Sequence, residues 1–283
     1  MENTLGSNVF GLIGDPIIVT GMHRAGTTLL SVVLEDMGVF MGANKDDNNE
    51  PLHIIKINDW LLNSVGARWD FPRDTSLLLE NEKLANLVVN YLRYNVYGLA
   101  GLKYRFGCNS MLWGWKDPRN TFTLKMWRIL FPCAKIINIS RHGVDVAASL
   151  HLRSVSALNA RSEDGVRKRM KESFFYKKGV YTDSVRCLEL DGAFELWLDY
   201  VSQAENNRCD IEEDKYLNIK FEDLVAEPSI VVAKIADFVG VKNYSFKRVS
   251  DRMEKSRIFA YRDTGELLLF AEAKRKDLIV CGY

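Results

Sequence analysis

Two short runs carry residue types suited to holding phosphate. The first is Gly21-Met22-His23-Arg24-Ala25-Gly26-Thr27-Thr28, set between the apolar run Ile17-Ile18-Val19-Thr20 and a helical pattern that begins at Thr27. Two glycines let the backbone turn tightly, so that successive N–H groups point inward, and the start of a helix adds partial positive charge. The second run is Ser140-Arg141, directly after the apolar stretch Lys135-Ile136-Ile137-Asn138-Ile139. A nucleotide kinase needs an acid at the end of its second strand to hold magnesium. Here that place has a hydroxyl and a cation, a pair that suits a second phosphate. The first run shares the G-x4-G spacing of a nucleotide-binding loop, but Thr27 stands where the ATP-binding version requires lysine, and the charge sits at Arg24 instead. Two separated phosphate sites describe a 3′,5′-bisphosphorylated adenosine better than a triphosphate. Ser149, eight residues past Arg141, joins the second site only if the helix that carries it folds back beside the phosphate.

These residues need a scaffold. Ile17–Thr20, Lys135–Ile139 and Tyr216–Ile219 are short, rich in Ile or Leu, and each is followed by a helical pattern, as in βα units. The helical patterns are 27–37, 144–152 and 228–239, with two more at 77–99 and 193–204. Strands that alternate with helices predict an α/β fold with a mainly parallel sheet. No linker divides the chain, which predicts one domain over 1–283. One stretch changes character. Residues 153–178 hold eight Lys/Arg against three Asp/Glu, whereas 183–214 hold ten acids against two arginines. The two are read as solvated or mutually paired helix faces, or else as a helical lid or acceptor-binding segment over 153–214 whose basic part attracts an anionic substrate.

Composition sets outer bounds. The chain has 283 residues with 38 Lys+Arg against 37 Asp+Glu, a net charge of +1 that argues against a nucleic-acid binder. No apolar run is long enough to span a membrane and the first residues do not pattern as a secretory signal. Five scattered cysteines without a CxxC pair read as buried free thiols in a reducing compartment. A cytoplasmic location is the expectation. No His/Cys cluster has metal-ligand spacing, so no metal is expected.

The segments IIVTGMHRAGTTLLSVVLEDMGV and KIINISRHGVDVAASL resemble the two cofactor signatures of the sulfotransferase family, and WGWKDPRNTFTLKMWRILFP and FEDLVAEPSIVVAKIADFVGV resemble segments of its bacterial and carbohydrate-type members. The resemblance runs from about Ile17 to Val241. It implies a three-layer, P-loop-NTPase-like α/β fold with a central, mainly parallel sheet. It also implies 3′-phosphoadenosine-5′-phosphosulfate (PAPS) as co-substrate and sulfonate transfer to a hydroxyl or amine. By the same resemblance Arg24, Ala25, Gly26, Thr27 and Thr28 form the 5′-phosphosulfate loop, and Arg141 and Ser149 hold the 3′-phosphate. Asp145 then reads as a stabiliser of its helix N-terminus. The chain departs from the cytosolic members in having Arg24 at their catalytic lysine, Gly143 at a usual proline, no C-terminal GxxGxxK loop, and Pro118 at the histidine of their Lys-x-His segment.

Sulfonate transfer requires a base at the acceptor and cations at the leaving bisphosphate. Arg24 and Lys116 are the candidate cations, the latter after Trp113-Gly114-Trp115 on a short strand. Glu50 and His53, both in Asn48-Asn49-Glu50-Pro51-Leu52-His53, are the candidate bases. Glu50 stands eight residues before Asn58-Asp59, as a glutamate does in the bacterial members, and is the preferred base provided that burial raises its pKa. The expected partner is a hydroxyl- or amine-bearing small-molecule or carbohydrate acceptor, with an anionic molecule or a glycan as one reading of the basic stretch, and no nucleic acid. Two rival readings stand beside this one. A P-loop kinase would bind ATP–Mg, and a non-catalytic nucleotide-binding protein would bind cofactor without turnover.

Overall fold

A computed structural model of the chain describes residues 14–99, 101, 112–162, 182–244 and 253–283. Among these, four strands form one sheet: β1 (Ile17–Gly21), β2 (Gly114–Lys116), β3 (Lys135–Ser140) and β4 (Tyr216–Lys220). Their order is β2-β1-β3-β4 and every pairing is parallel. The register sets Gly21 opposite Ile139 and Val19 opposite both Lys116 and Ile137, so the residues expected to do chemistry collect at the carboxyl edge. That edge is where ligands enter parallel α/β sheets.

The strands are short and apolar because helices bury both faces. Odd-numbered Ile17, Val19, Ile137, Ile139, Leu217 and Ile219 pack with α1 (Thr27–Asp36), α7 (Phe221–Ala226) and α8 (Pro228–Val239). Ile18 and Ile136 face the other way, against α2 (Leu52–Ser64), α3 (Glu82–Tyr97) and α4 (Asn120–Leu130), with Trp115 and Trp127 between them. A third cluster joins α5 (Gly143–Ser162) to α6 (Leu190–Cys209) through Val144, Leu150, Phe194 and Trp197. Full burial of such side chains contributes about 1.5–3 kcal/mol each. Two further helices follow, α9 (Gly265–Ala273) and α10 (Arg275–Val280). The three-layer, P-loop-like α/β arrangement is therefore the fold of this chain.

Several expected elements differ in extent. The pattern at 77–99 divides into a 3-10 turn (Thr75–Leu79) and α3, because the Asn81 side chain accepts from Leu84 N and starts a new helix. The helix expected over 144–152 continues to Ser162. The expected lid over 153–214 divides too. Residues 163–181 lie outside the described set, and with them most of the basic stretch. Residues 190–209 form α6, whose Phe194, Leu196, Trp197 and Tyr200 are buried, so this half is a core helix. Its apolar residues recur at helical spacing and turn inward, while the acidic ones lie on the solvent side, where Asp199 pairs with Arg186 and Asp191 with Lys274. Nor are the thiols uniformly buried: Cys187 is, but Cys133 and Cys209 are exposed.

Candidate active site

The phosphate loop is shaped by backbone that other residues would strain. Gly21 has φ 133°, and a Cβ there would lie 2.3 Å from the Ile139 carbonyl oxygen, so only glycine lets β1 end this close to β3. Gly26 has φ 97°, and its Cβ would meet the Phe221 ring at 2.5 Å. Between them Arg24 holds φ 69°, a left-handed conformation uncommon for arginine. The loop delivers the chain to α1, whose first turn carries no acidic residue. Gly26, Thr27 and Thr28 line the cleft, so the start of α1 and the positive end of its dipole lie there.

Four arginines crowd one side of this cleft. Arg24 Nε donates to Ser149 Oγ at 2.8 Å, so α5 does fold back beside the loop. Arg141, at the end of β3, donates to the Arg24 carbonyl at 3.3 Å and to the Arg257 carbonyl at 2.7 Å. Asp145, in the first turn of α5, lies 3.4 Å from Arg141 and also accepts from Tyr261 N. The Phe221 ring lies under the Arg141 guanidinium at 4.7 Å. Arg153 and Arg257 complete the group. Burial, with the charges of Arg153, Arg141 and Arg257, lowers the pKa of Arg24. Such crowding of like charge is relieved by a bound polyanion.

Glu50 lies across the cleft. The Asp46 carboxylate accepts from Asn48 N and Glu50 N and folds 46–50 into a turn that ends at Pro51. Glu50 is 3% exposed; its Oε1 is 3.0 Å from Lys116 Nζ and its Oε2 is 3.2 Å from Arg119 NH1. Burial and the neighbouring Asp117 push its pKa up to about 7, against the opposing pull of Lys116 and Arg119. Lys116 is itself fully buried and also donates to the Asn48 carbonyl, 3.5 Å from Thr28 Oγ1. It thus connects Glu50 to the loop.

Arg119 was not among the residues singled out from the sequence. It binds Glu50, Asp117 and Asp59 at once, and these carboxylates keep it charged despite burial. Below it Asn58 is the hub of a buried network. Its Nδ2 donates to Asp117 and Asn120, and its Oδ1 accepts from Thr123 and Trp127. The Asn58-Asp59 spacing from Glu50 was the one local signal of this arrangement.

His53 is not brought to the cleft. In the first turn of α2, its Nε2 lies 3.0 Å from the Asn95 carbonyl, and the ring borders an apolar cavity with Trp113 and Phe131. His23, inside the loop, does border the cleft. Burial and four cations hold its pKa well below the usual value, so it is a neutral imidazole, edge-on to Trp69 at 4.7 Å. Among the described residues no three His, Cys, Asp or Glu side chains group as a metal site, and no helix is long and apolar enough to cross a membrane.

The fold and the loop together define an α/β protein of the phosphate-loop class in which β3 ends in a hydroxyl and a cation, Ser140-Arg141, where a magnesium-binding acid would stand. More particularly, the chain belongs to the sulfotransferase family, whose sequence profile matches residues 16–245. It is thereby an enzyme of sulfonate transfer. No curated protein matches it. Among solved structures it is similar to the sulfotransferase domain of the curacin biosynthetic pathway, at 19% identity over 87% of this chain and 80% of that one, with a TM-score of 0.49. The sulfotransferase domain of the Synechococcus PCC 7002 olefin synthase gives 20% identity over 86% and 82%, with a TM-score of 0.46. A mouse sulfotransferase complexed with PAP gives 16% identity over 86% and 66%, with a TM-score of 0.37.

Proposed function

We propose that this enzyme moves a sulfonate group from PAPS to a hydroxyl or amine of a small-molecule or carbohydrate acceptor by in-line displacement, with Glu50 as the base. The observation that carries the reading is the placement of Glu50 and Lys116. A buried carboxyl with a pKa near 7 touches a lysine that reaches the phosphate loop. A base poised near working pH balances ionised fraction against proton affinity.

PAPS, when bound, supplies an activated sulfonate on its 5′-phosphate. The loop N–H groups from Arg24 to Thr28 would hold that phosphate, and Arg141 with Ser149 the 3′-phosphate; the neighbouring guanidiniums of Arg24 and Arg141 fit such a bisphosphate. Glu50 takes the acceptor proton as the acceptor oxygen or nitrogen bonds sulfur and the bond from sulfur to the bridging oxygen breaks. Lys116 and Arg24 face the charge that grows on that oxygen, where fixed cations stabilise the transition state more than the ground state.

The donor half is tested without an acceptor. Calorimetric titration with 3′-phosphoadenosine-5′-phosphate (PAP) is expected to show binding at least tenfold tighter than ADP. Arg141→Ala should abolish most of that advantage while the fold is kept, since a charge-assisted bond is lost. A preference for ATP–Mg²⁺ would replace this reading with a kinase.

A further inference from the structure

The helix α5 lays its cleft-side residues out at four-residue intervals. Asp145, Ser149 and Arg153 stand at i, i+4 and i+8, which places them on one face. The first holds Arg141 and the second holds Arg24. Both therefore serve the ends of the donor site. Arg153 lies one further turn along, about 6 Å past Ser149 by helical rise and away from Arg141. It borders the same cleft as Glu50, Lys116 and His23. Its guanidinium lies over the Trp69 ring at 5.4 Å, and its Nε is 2.6 Å from Asp183. Asp183 is nearly half exposed, so that pairing is a surface one and yields readily to another anion.

The cleft's charges divide accordingly. Arg141 and Arg24 are matched to the two phosphate positions, and Lys116 is matched to Glu50. Arg257 stays with Arg141 through its carbonyl and pairs with Glu254, which leaves Arg153, one turn of α5 past the Ser149 contact with Arg24, with no donor phosphate assigned to it. The neighbouring His23 is neutral and adds no charge of its own. A planar guanidinium backed by an aromatic ring is suited to bidentate recognition of an oxyanion.

We propose that Arg153 is a specificity-determining residue that selects small acceptors bearing a carboxylate or a comparable oxyanion beside the group to be sulfonated. This rests on the reading of Arg24, Arg141 and Ser149 as the donor site. Arg153 then sorts acceptors by charge and leaves donor affinity unchanged.

The test uses the full chain saturated with PAP and two matched probe pairs, 4-hydroxyphenylacetate against 2-(4-hydroxyphenyl)ethanol and glucuronate against glucose, titrated by calorimetry. The anionic member of at least one pair should bind fivefold or more tightly than its neutral partner. Arg153→Gln should reduce that preference below twofold, Arg153→Lys should keep most of it, and PAP affinity should stay within twofold in both variants. Equal affinities within both pairs, no binding by either anion, or a preference that survives Arg153→Gln would overturn the assignment. A fivefold loss of PAP affinity in Arg153→Gln would also overturn it, by moving Arg153 to the donor site. If wild type fails to bind PAP, the donor-site reading falls; if it binds PAP and shows no preference, only the role of Arg153 falls.

Discussion

At the scale of single residues, Glu50 carries the most consequence, because its environment pulls in two directions. Burial and Asp117 favour the protonated acid, whereas Lys116 and Arg119 favour the carboxylate, and the balance lies near pH 7. If Glu50 is the base, kcat/KM should rise with pH to a plateau with an apparent pKa of about 7. Glu50→Gln should lower kcat by about 10²- to 10⁴-fold and remove that limb, with PAP affinity within twofold of wild type. A limb that persists in the variant would assign the proton to another group. The same shift has a thermodynamic sign. The folded carboxyl holds its proton to higher pH than an ordinary glutamate, which titrates near 4.5, so the stability this group contributes is full below pH 4.5 and is lost as pH rises through about 7. Urea titrations across that window should show the slope in wild type and not in Glu50→Gln. Much of this was legible in the sequence only as a condition. The spacing to Asn58 nominated Glu50, but its burial and its contact with Arg119, 69 residues away, depend on tertiary packing. For the same reason His53, only three residues from Glu50, gave no sign that α2 would turn it toward Asn95.

At the scale of elements, the loop between β1 and α1 depends on two glycines for different reasons. Gly21 lets two strands meet, and Gly26 makes room for Phe221 while it adopts a positive φ. Gly26→Ala combines backbone strain with a ring clash at 2.5 Å. It should cost about 1–3 kcal/mol of stability, read by denaturant unfolding, and weaken PAP binding at least tenfold. Unchanged PAP binding would mean that the loop does not cradle the phosphate. This loop was legible because its signals are local: two glycines at fixed spacing, an apolar strand before them and a helical period after. The strands were equally plain, since burial on both faces leaves runs of Ile and Val. What misled was periodicity without punctuation. Asn81 divides the pattern at 77–99 by capping a new helix, and the acidic stretch concealed that α6 is a core helix, because its charges lie on the side away from Trp197 and Tyr200.

At the scale of the whole molecule, a net charge of +1 conceals a strongly uneven distribution. Arg24, Lys116, Arg141, Arg153 and Arg257 all border one cleft, in which Glu50 is the single carboxyl among the described residues. A concave, one-signed surface focuses field and draws in polyanions. PAP affinity should therefore fall about tenfold or more as NaCl rises from about 0.05 to about 0.5 M, since the screening length shortens to a few ångströms over that range. A salt-independent affinity would show that the contacts are mainly apolar.

The pairing of Gly21 with Ile139 carries one more consequence. The loop springs from β1 and Arg141 from β3, and these strands are immediate neighbours. Hydrogen-bonded strands lie about 4.8 Å apart. The sheet thus fixes the backbone interval between the loop and the root of Arg141. A ligand held by both would be measured from that baseline, with the arginine side chain left only to trim the distance.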